Sequence, residues 1–355
     1  MKNLRKNGRG VEEKVSDMTI KDIAKESGYG IGTVSRVLNN NPNVSKKAYE
    51  KIMEVVNAHN YQPNPNARHL KMQAQKGVAI IVKGINNHLF AAILEKMQQI
   101  IEENHYLCYV SYIDQDDNEL NEAGRIIEEK NPEGILFLGS NFEQYKPEEF
   151  DILTLPCVAI TASSASLNIR NLSSLFIDDT AAAMYMVEHL YKQGHTKIGI
   201  IGGDPELSAP ASARLMGCRM AMFHHDRQLD MEMQYAYSRY SMEGGYQAAL
   251  ELLDKYPDMT AVFAMSDLIA IGAIRAFRDK GKKVPEDISV TGFDGIEPAK
   301  YITPRLTTIR QNADRFAVRG VEIILYLIKN GGQAIHEIIP FEFQEGESVR
   351  SLLSE

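Results

Sequence analysis

Between Thr33 and Arg36 the chain reads T-V-S-R. At helical spacing, Val34, Val37 and Leu38 fall on one side, and Thr33, Ser35 and Arg36 fall on the other. Hydroxyls suit phosphate oxygens, and a guanidinium can pair in bidentate fashion with the O6/N7 edge of guanine. The expected chemistry is therefore hydrogen bonding to nucleic acid rather than bond making or breaking.

The charge distribution supports the first reading. The whole chain carries a net −8. Residues 1–76 hold 14 Lys+Arg against 7 Asp+Glu, a net of +7, which leaves the remainder at −15. One end is thus prepared for a polyanion while the rest carries the charge that keeps a body soluble. With 355 residues, 44% of them apolar, the chain can build two or three cores. No run of about 18 apolar residues is present, so no membrane partner is expected. Cys108, Cys157 and Cys218 are scattered among apolar neighbours, as reduced core thiols in a cytoplasmic chain would be.

Positioning the first polar face requires short helices. Thr19 is a good N-cap for a helix over residues 20–27, with Asp22 in its first turn and Gly28 ending it. A second helix is expected over residues 31–39 and a third over residues 46–60, capped by Ser45. Two helices joined by a Gly-containing turn, the second with an outward polar face, form the helix-turn-helix pattern. The connector Tyr61-Gln-Pro-Asn64-Pro65-Asn-Ala67-Arg68-His-Leu70 follows. Its Asn-Pro pair can start a helix of two turns, too short to be stable alone.

From residue 77 onward, apolar runs alternate with amphipathic stretches. The runs cover residues 78–82, 107–111, 134–138, 158–161, 197–201, 261–264, 288–291 and 306–309. This pattern predicts an α/β body of doubly wound parallel sheets, with too many units for one lobe. The glycines at Gly199, Gly202 and Gly203 lack both G-x-G-x-x-G spacing and a G-K-[ST] ending, so they suggest a tight turn rather than a nucleotide loop. His224-His225-Asp226 reads as a solvated helix end rather than a metal site. No nucleophile elbow appears, and neither an enzyme nor a cofactor is expected.

The segments T-I-K-D-I-A-K-x-S-G, T-V-S-R-V-L-N, N-V-S and Y-x-P-N-x-x-A-R-x-L run from Thr19 to Leu70 with almost no gaps. Together they resemble the head and hinge of the LacI/GalR family of bacterial transcriptional regulators. The resemblance implies an all-α helix-turn-helix head on a two-lobed body similar to periplasmic sugar-binding proteins. Its expected divisions are a disordered basic extension at 1–17, a DNA-binding domain at 18–61, a hinge and linker at 62–76, and a core at 77–355. Within the core, one lobe would take 77–174 plus 311–342, and the other 175–310 plus 343–355.

The resemblance also implies a homodimer on a near-palindromic operator in double-stranded DNA, located in the cytoplasm and on the nucleoid when bound. The function expected is a transcriptional regulator, acting as a repressor, controlled allosterically by an effector in the interlobe cleft. The expected effector is a sugar or sugar derivative. A purine- or nucleoside-responsive regulator, or an enzyme acting on a sugar or sugar phosphate with a fused DNA-binding head, remain the alternatives.

The matching DNA-contact positions are Thr19, Ile31, Gly32, Thr33, Ser35, Arg36, Asn39, Ser45, Tyr61, Asn64, Ala67, Arg68 and Leu70. Arg36 is the expected base reader, and Leu70 the residue that would wedge into the minor groove. Ile31 and Gly32 depart from the polar readers often found at the start of the family's recognition helix. The matching effector positions are Phe90, Thr161, Arg214, Tyr240, Ser266 and Asp294. At Thr161, sugar-responsive relatives frequently carry an aspartate.

Overall fold

The computed structural model describes residues 18–38, 44–59, 61, 76–84, 87–114 and 117–353. Two compact units emerge, Met1–Gln75 and Lys76–Glu355.

The first unit contains α1 (Ile20–Ser27), α2 (Ile31–Leu38) and α3 (Lys46–Ala58). Local signals fix its helix ends. The Asp22 carboxylate accepts from both the amide (2.9 Å) and the hydroxyl (2.6 Å) of Thr19, closing the start of α1. Gly28 ends α1 with φ 73°, a left-handed conformation that costs glycine little. Ser45 accepts from the Ala48 amide at the start of α3. Ile23, Val34, Val37, Ile52 and Val56 close a small core with Ala24. Asn39 and residues 62–70 of the expected hinge, including Asn64, Ala67, Arg68 and Leu70, lie outside the described residues, as does the 1–17 extension.

The second unit alternates strand and helix: β1 (Gly77–Lys83), α4 (His88–Glu103), β2 (Leu107–Ile113), α5 (Glu119–Lys130), β3 (Gly134–Leu138), β4 (Cys157–Ile160) and β5 (Leu172–Phe176). It continues with α6 (Asp179–Lys192), β6 (Ile198–Gly202), α7 (Ala209–His224), α8 (Met231–Gln234), β7 (Tyr235–Tyr237), α9 (Met242–Lys255), β8 (Ala261–Ala264) and α10 (Asp267–Asp279). The last elements are β9 (Ser289–Asp294), β10 (Thr307–Arg310), α11 (Ala313–Asn330), β11 (His336–Ile338) and β12 (Glu342–Gln344).

Two six-stranded sheets result, ordered β11-β5-β4-β3-β1-β2 and β12-β10-β9-β8-β6-β7. Every pairing is parallel except β10 with β12. Strands β1, β3 and β4 are buried along their whole length, as sheets covered on both faces require. The chain crosses between lobes three times, after β5, after β10 and after β11. Each sheet reverses its strand order beside its first strand, at β1/β3 and at β6/β8, and such switch points place a crevice at the carboxyl ends of the strands.

The lobe borders differ from expectation. The border at 174/175 would cut β5, and Glu342 belongs to β12 in the second sheet. The strand at Leu172–Phe176 escaped the apolar-run criterion because its middle is Ser173-Ser174. Both serines are fully buried, and each meets the neighbouring β11 segment. Ser173 Oγ accepts from the Ile335 amide (3.0 Å), and Ser174 Oγ pairs with His336 Nδ1 (2.8 Å).

Close backbone approach sets the helix pairs of the second lobe. A Cβ at Gly217 on α7 would overlap the Thr180 carbonyl of α6, and one at Gly272 on α10 would overlap the Met242 carbonyl of α9. Gly272→Ala should therefore force α9 and α10 apart and destabilise the second unit by about 1–3 kcal/mol, despite alanine's better helix propensity. Urea unfolding followed by circular dichroism would test this, and an unchanged or raised midpoint would contradict it.

Candidate DNA-reading face and ligand cleft

In the first unit, burying Val34 and Val37 turns the opposite side of α2 outward. Ile31 (47% exposed), Gly32 and Arg36 are exposed, and Thr33 and Ser35 are half-buried. A Cβ at Gly32 would meet nothing within 4 Å. Two of the expected phosphate contacts are already occupied locally. The Thr19 hydroxyl donates to Asp22, and Ser45 caps α3. Tyr61 packs against the head core, with its amide on the Val56 carbonyl (2.9 Å).

At the carboxyl ends of the second sheet, α6, α7, β8 and β9 converge on one guanidinium. Arg214 is only 6% exposed. Its Nε donates to Asp179 Oδ1 (2.7 Å), its NH1 donates to the Met265 carbonyl (2.5 Å), and its Cζ lies 3.7 Å from the centre of the Phe293 ring. Such a stacked, forked arrangement suits arginine and would not accommodate lysine equally well. Burial works against the Arg214 charge, but Asp179 and then Asp294 outweigh it and hold its proton more tightly than usual.

Asp294 ends β9 with φ 116°, an uncommon backbone for a residue with a side chain, and its Oδ1 accepts from Gln311 Nε2 (2.9 Å). Burial pushes its carboxyl up to about 6 against the opposing pull of Arg214. Behind it, the fully buried Asp267 accepts from the Ile296 amide (2.8 Å) and the Thr308 hydroxyl (2.5 Å). The loop carrying Asp294 is thereby tied to α10 and β10. Burial, followed by the neighbouring Asp294, raises the Asp267 carboxyl well above the usual carboxylate range.

Tyr240 follows β7. Its hydroxyl is buried and makes no hydrogen bond of adequate geometry among the described residues, although the Ser208 hydroxyl is near. Ser266 is 2% exposed and spends its oxygen on capping α10 at the Ile269 amide (3.4 Å).

In the first lobe, Phe90 lies in the first turn of α4, which Asn87 caps. Its ring occupies the space that a Cβ at Gly139 would need, just past β3. Thr161, at the end of β4, has φ 67° and donates its amide to the Leu175 carbonyl (2.8 Å). Sequence reasoning missed a buried network beside them. Lys83, the last residue of β1, pairs with Glu119 at 2.7 Å, and Glu119 also accepts from the Tyr145 hydroxyl (2.7 Å) and the Asn141 amide (2.9 Å). The only sequence signal was a lysine ending the apolar run G-V-A-I-I-V-K. Ser140 was also missed; it is 6% exposed and its hydroxyl has no partner among the described residues. Asn141 Nδ2 donates to the Leu207 carbonyl (3.1 Å), joining loops of the two lobes at this end of the sheets.

Residues 19–64 match the model of bacterial regulatory proteins, lacI family, and residues 187–349 match that of a periplasmic binding protein-like domain. The HTH-type transcriptional regulator MalR of Clostridium butyricum is 34% identical over 336 residues, covering 93% of this chain and 99% of the relative. This chain belongs to the lacI family. It is accordingly a DNA-binding transcriptional regulator and not an enzyme.

The ribose operon repressor of Haemophilus influenzae is 30% identical over 322 residues, covering 90% of this chain and 95% of its own length. Among solved structures, the lac repressor dimer bound to operator and the anti-inducer ONPF shares the fold. Its TM-score is 0.73 at 23% identity, with 94% of this chain and 100% of that one covered. The CelR–cellobiose complex gives a TM-score of 0.68 at 23% identity, covering 93% and 99%. No helix among the described residues is long and apolar enough to cross a membrane.

The Asp294 carboxyl sets a pH dependence. Its proton is held more tightly in the folded chain than in an unfolded one, where such a group titrates near 4. The stabilisation from that proton is complete below about pH 4 and is lost as pH rises through about 6. Relative to Asp294→Asn, the parent chain should therefore lose roughly 2–3 kcal/mol of unfolding free energy between pH 4 and pH 7. Urea titrations at both pH values would measure this, and a constant difference would contradict the buried-acid assignment.

Proposed function

We propose that this regulator binds a near-palindromic operator as a homodimer and responds to a sugar or sugar derivative held between its lobes. Arg36 reads a base edge from the major groove. Ile31 meets a thymine methyl, and Gly32 lets the backbone approach closely. Thr19, Thr33, Ser35, Asn39, Ser45 and Tyr61 position the head on phosphates, and the segment holding Asn64, Ala67, Arg68 and Leu70 serves as the hinge. The sequence divisions at 1–17, 18–61 and 62–76 are assigned accordingly. The protein works in the cytoplasm, on the nucleoid when bound.

One observation supports the ligand half above others. Two buried hydroxyls, Ser140 in one lobe and Tyr240 in the other, have no hydrogen-bond partner among the described residues and lie at the carboxyl ends of the two sheets, beside Phe90 and the Arg214–Asp294 cluster. A polyhydroxylated molecule would satisfy them, with Arg214 donating, Asp294 accepting, and Phe90 and Tyr240 offering ring faces. Thr161 contacts the ligand from the turn just after β4, and Ser266 shapes the floor through its cap. The relatives named for ribose and the cellobiose complex support a carbohydrate.

Selection of bound sequences from random duplex DNA, with and without neutral sugars including ribose and cellobiose, tests both halves. Arg36→Ala should lose about 1–3 kcal/mol of discrimination at one base pair per half-site while keeping salt-dependent nonspecific binding. An unchanged preference would refute the assignment of the reader. A selected consensus that no sugar alters would refute the effector class.

A further inference from the structure

The outer face of α7 is separate from the cleft. The helix buries Arg214, Leu215, Gly217, Cys218, Ala221 and Met222, and it turns Met216, Met220 and Phe223 outward. Those three are 50%, 41% and 73% exposed and stand at i, i+4 and i+7, so they form a continuous apolar stripe. Beyond the helix the chain folds back, and Met220 and Phe223 join Arg219, Arg227, Gln228 and Leu229 around an open groove of about 410 Å³. Scattered exposed apolar residues need no explanation, but a stripe of this kind running into a groove does. Methionines make such a surface adaptable to the shape of a partner.

Charge decides which partner fits. Neither Arg219 nor Arg227 has an ion-pair partner within 4.0 Å among the described residues. On the neighbouring α6, Glu188 is shared by His224 (3.2 Å) and His225 (2.9 Å). Asp230 is committed to capping α8. Two guanidiniums with no ion-pair partner among the described residues thus rim an apolar groove on a body, residues 77–355, whose net charge is −15. An isologous contact with a second copy would set these guanidiniums against their own kind.

We propose that this groove docks an acidic amphipathic helix of another protein. Its apolar ridge would lie along Met216, Met220 and Phe223, and its carboxylates would meet Arg219 and Arg227.

The test uses the full-length protein and a fluorescein-labelled 16-residue peptide with leucines at i, i+3, i+4 and i+7 spacing and glutamate at the flanking positions. A control peptide carries lysine in place of each glutamate. Fluorescence anisotropy should show the glutamate peptide binding at least about tenfold more tightly. The variant combining Arg219→Glu and Arg227→Glu should reverse that order. Combining Met220→Ser with Phe223→Ser should weaken glutamate-peptide binding by about tenfold or more while thermal unfolding and DNA binding stay at parental values, since both side chains are exposed. Equal binding of the two peptides, or binding indifferent to both double variants, would overturn the proposal. So would self-association, or binding to phosphatidylglycerol vesicles, that the Met220/Phe223 variant abolishes while neither peptide binds.

Discussion

The second lobe depends on the pairing of Arg214 with Asp179. This contact joins the first turn of α6 to α7, and the same guanidinium reaches the carbonyl that follows β8 and lies on the Phe293 ring of β9. Four elements therefore share one buried cation. Removing either member would leave an uncompensated charge in the interior, which typically costs about 3–5 kcal/mol. The arrangement also leaves Asp294 beside a fixed positive charge, so its carboxyl is raised by burial without being driven out of use as an acceptor. The residues proposed to recognise the ligand are therefore the same ones that hold the lobe together.

A second carboxylate makes that geometry hold. Asp267 has no cationic partner among the described residues and accepts from the Ile296 amide in the loop after β9 and the Thr308 hydroxyl of β10. It keeps Asp294 at its unusual φ by anchoring the residues just after it. The first lobe answers with a different solution, the Lys83–Glu119 pair, which orders Tyr145 and Asn141 and carries the loop that touches Leu207 of the other lobe. Each lobe thus presents a polar floor beside a buried hydroxyl, Ser140 or Tyr240, that has no partner among the described residues.

How much of this could be read in advance depended on range along the chain. The head was legible because its determinants are local: Thr19 with Asp22, Gly28, Ser45, and valines at helical spacing. The long strands were legible because burial on both faces demands unbroken apolar runs. β5 was not, because buried serines wrote it in polar letters. β7, β11 and β12 have three residues each, too few to carry a period. Arg214 and Asp294 were found through resemblance, but their partners were not. Asp179 lies 35 residues from Arg214, and Met265 lies 51 away. Lys83 meets Glu119 across 36 residues. Only folding brings those charges together, and Ser140 is distinguished solely by lacking a partner among the described residues.

Under the proposed function, ligand bound at the Arg214 cluster governs affinity for DNA. The most direct measurement is operator affinity of the parent and of Arg214→Gln by fluorescence anisotropy, with and without the neutral sugar that most raises the parent's melting temperature. The account predicts a shift of about 5- to 150-fold for the parent, a coupling of roughly 1–3 kcal/mol. For Arg214→Gln, assayed below its lowered melting temperature with circular dichroism showing the lobe folded, it predicts DNA binding that sugar no longer shifts. A variant that still responds as the parent does would contradict the account.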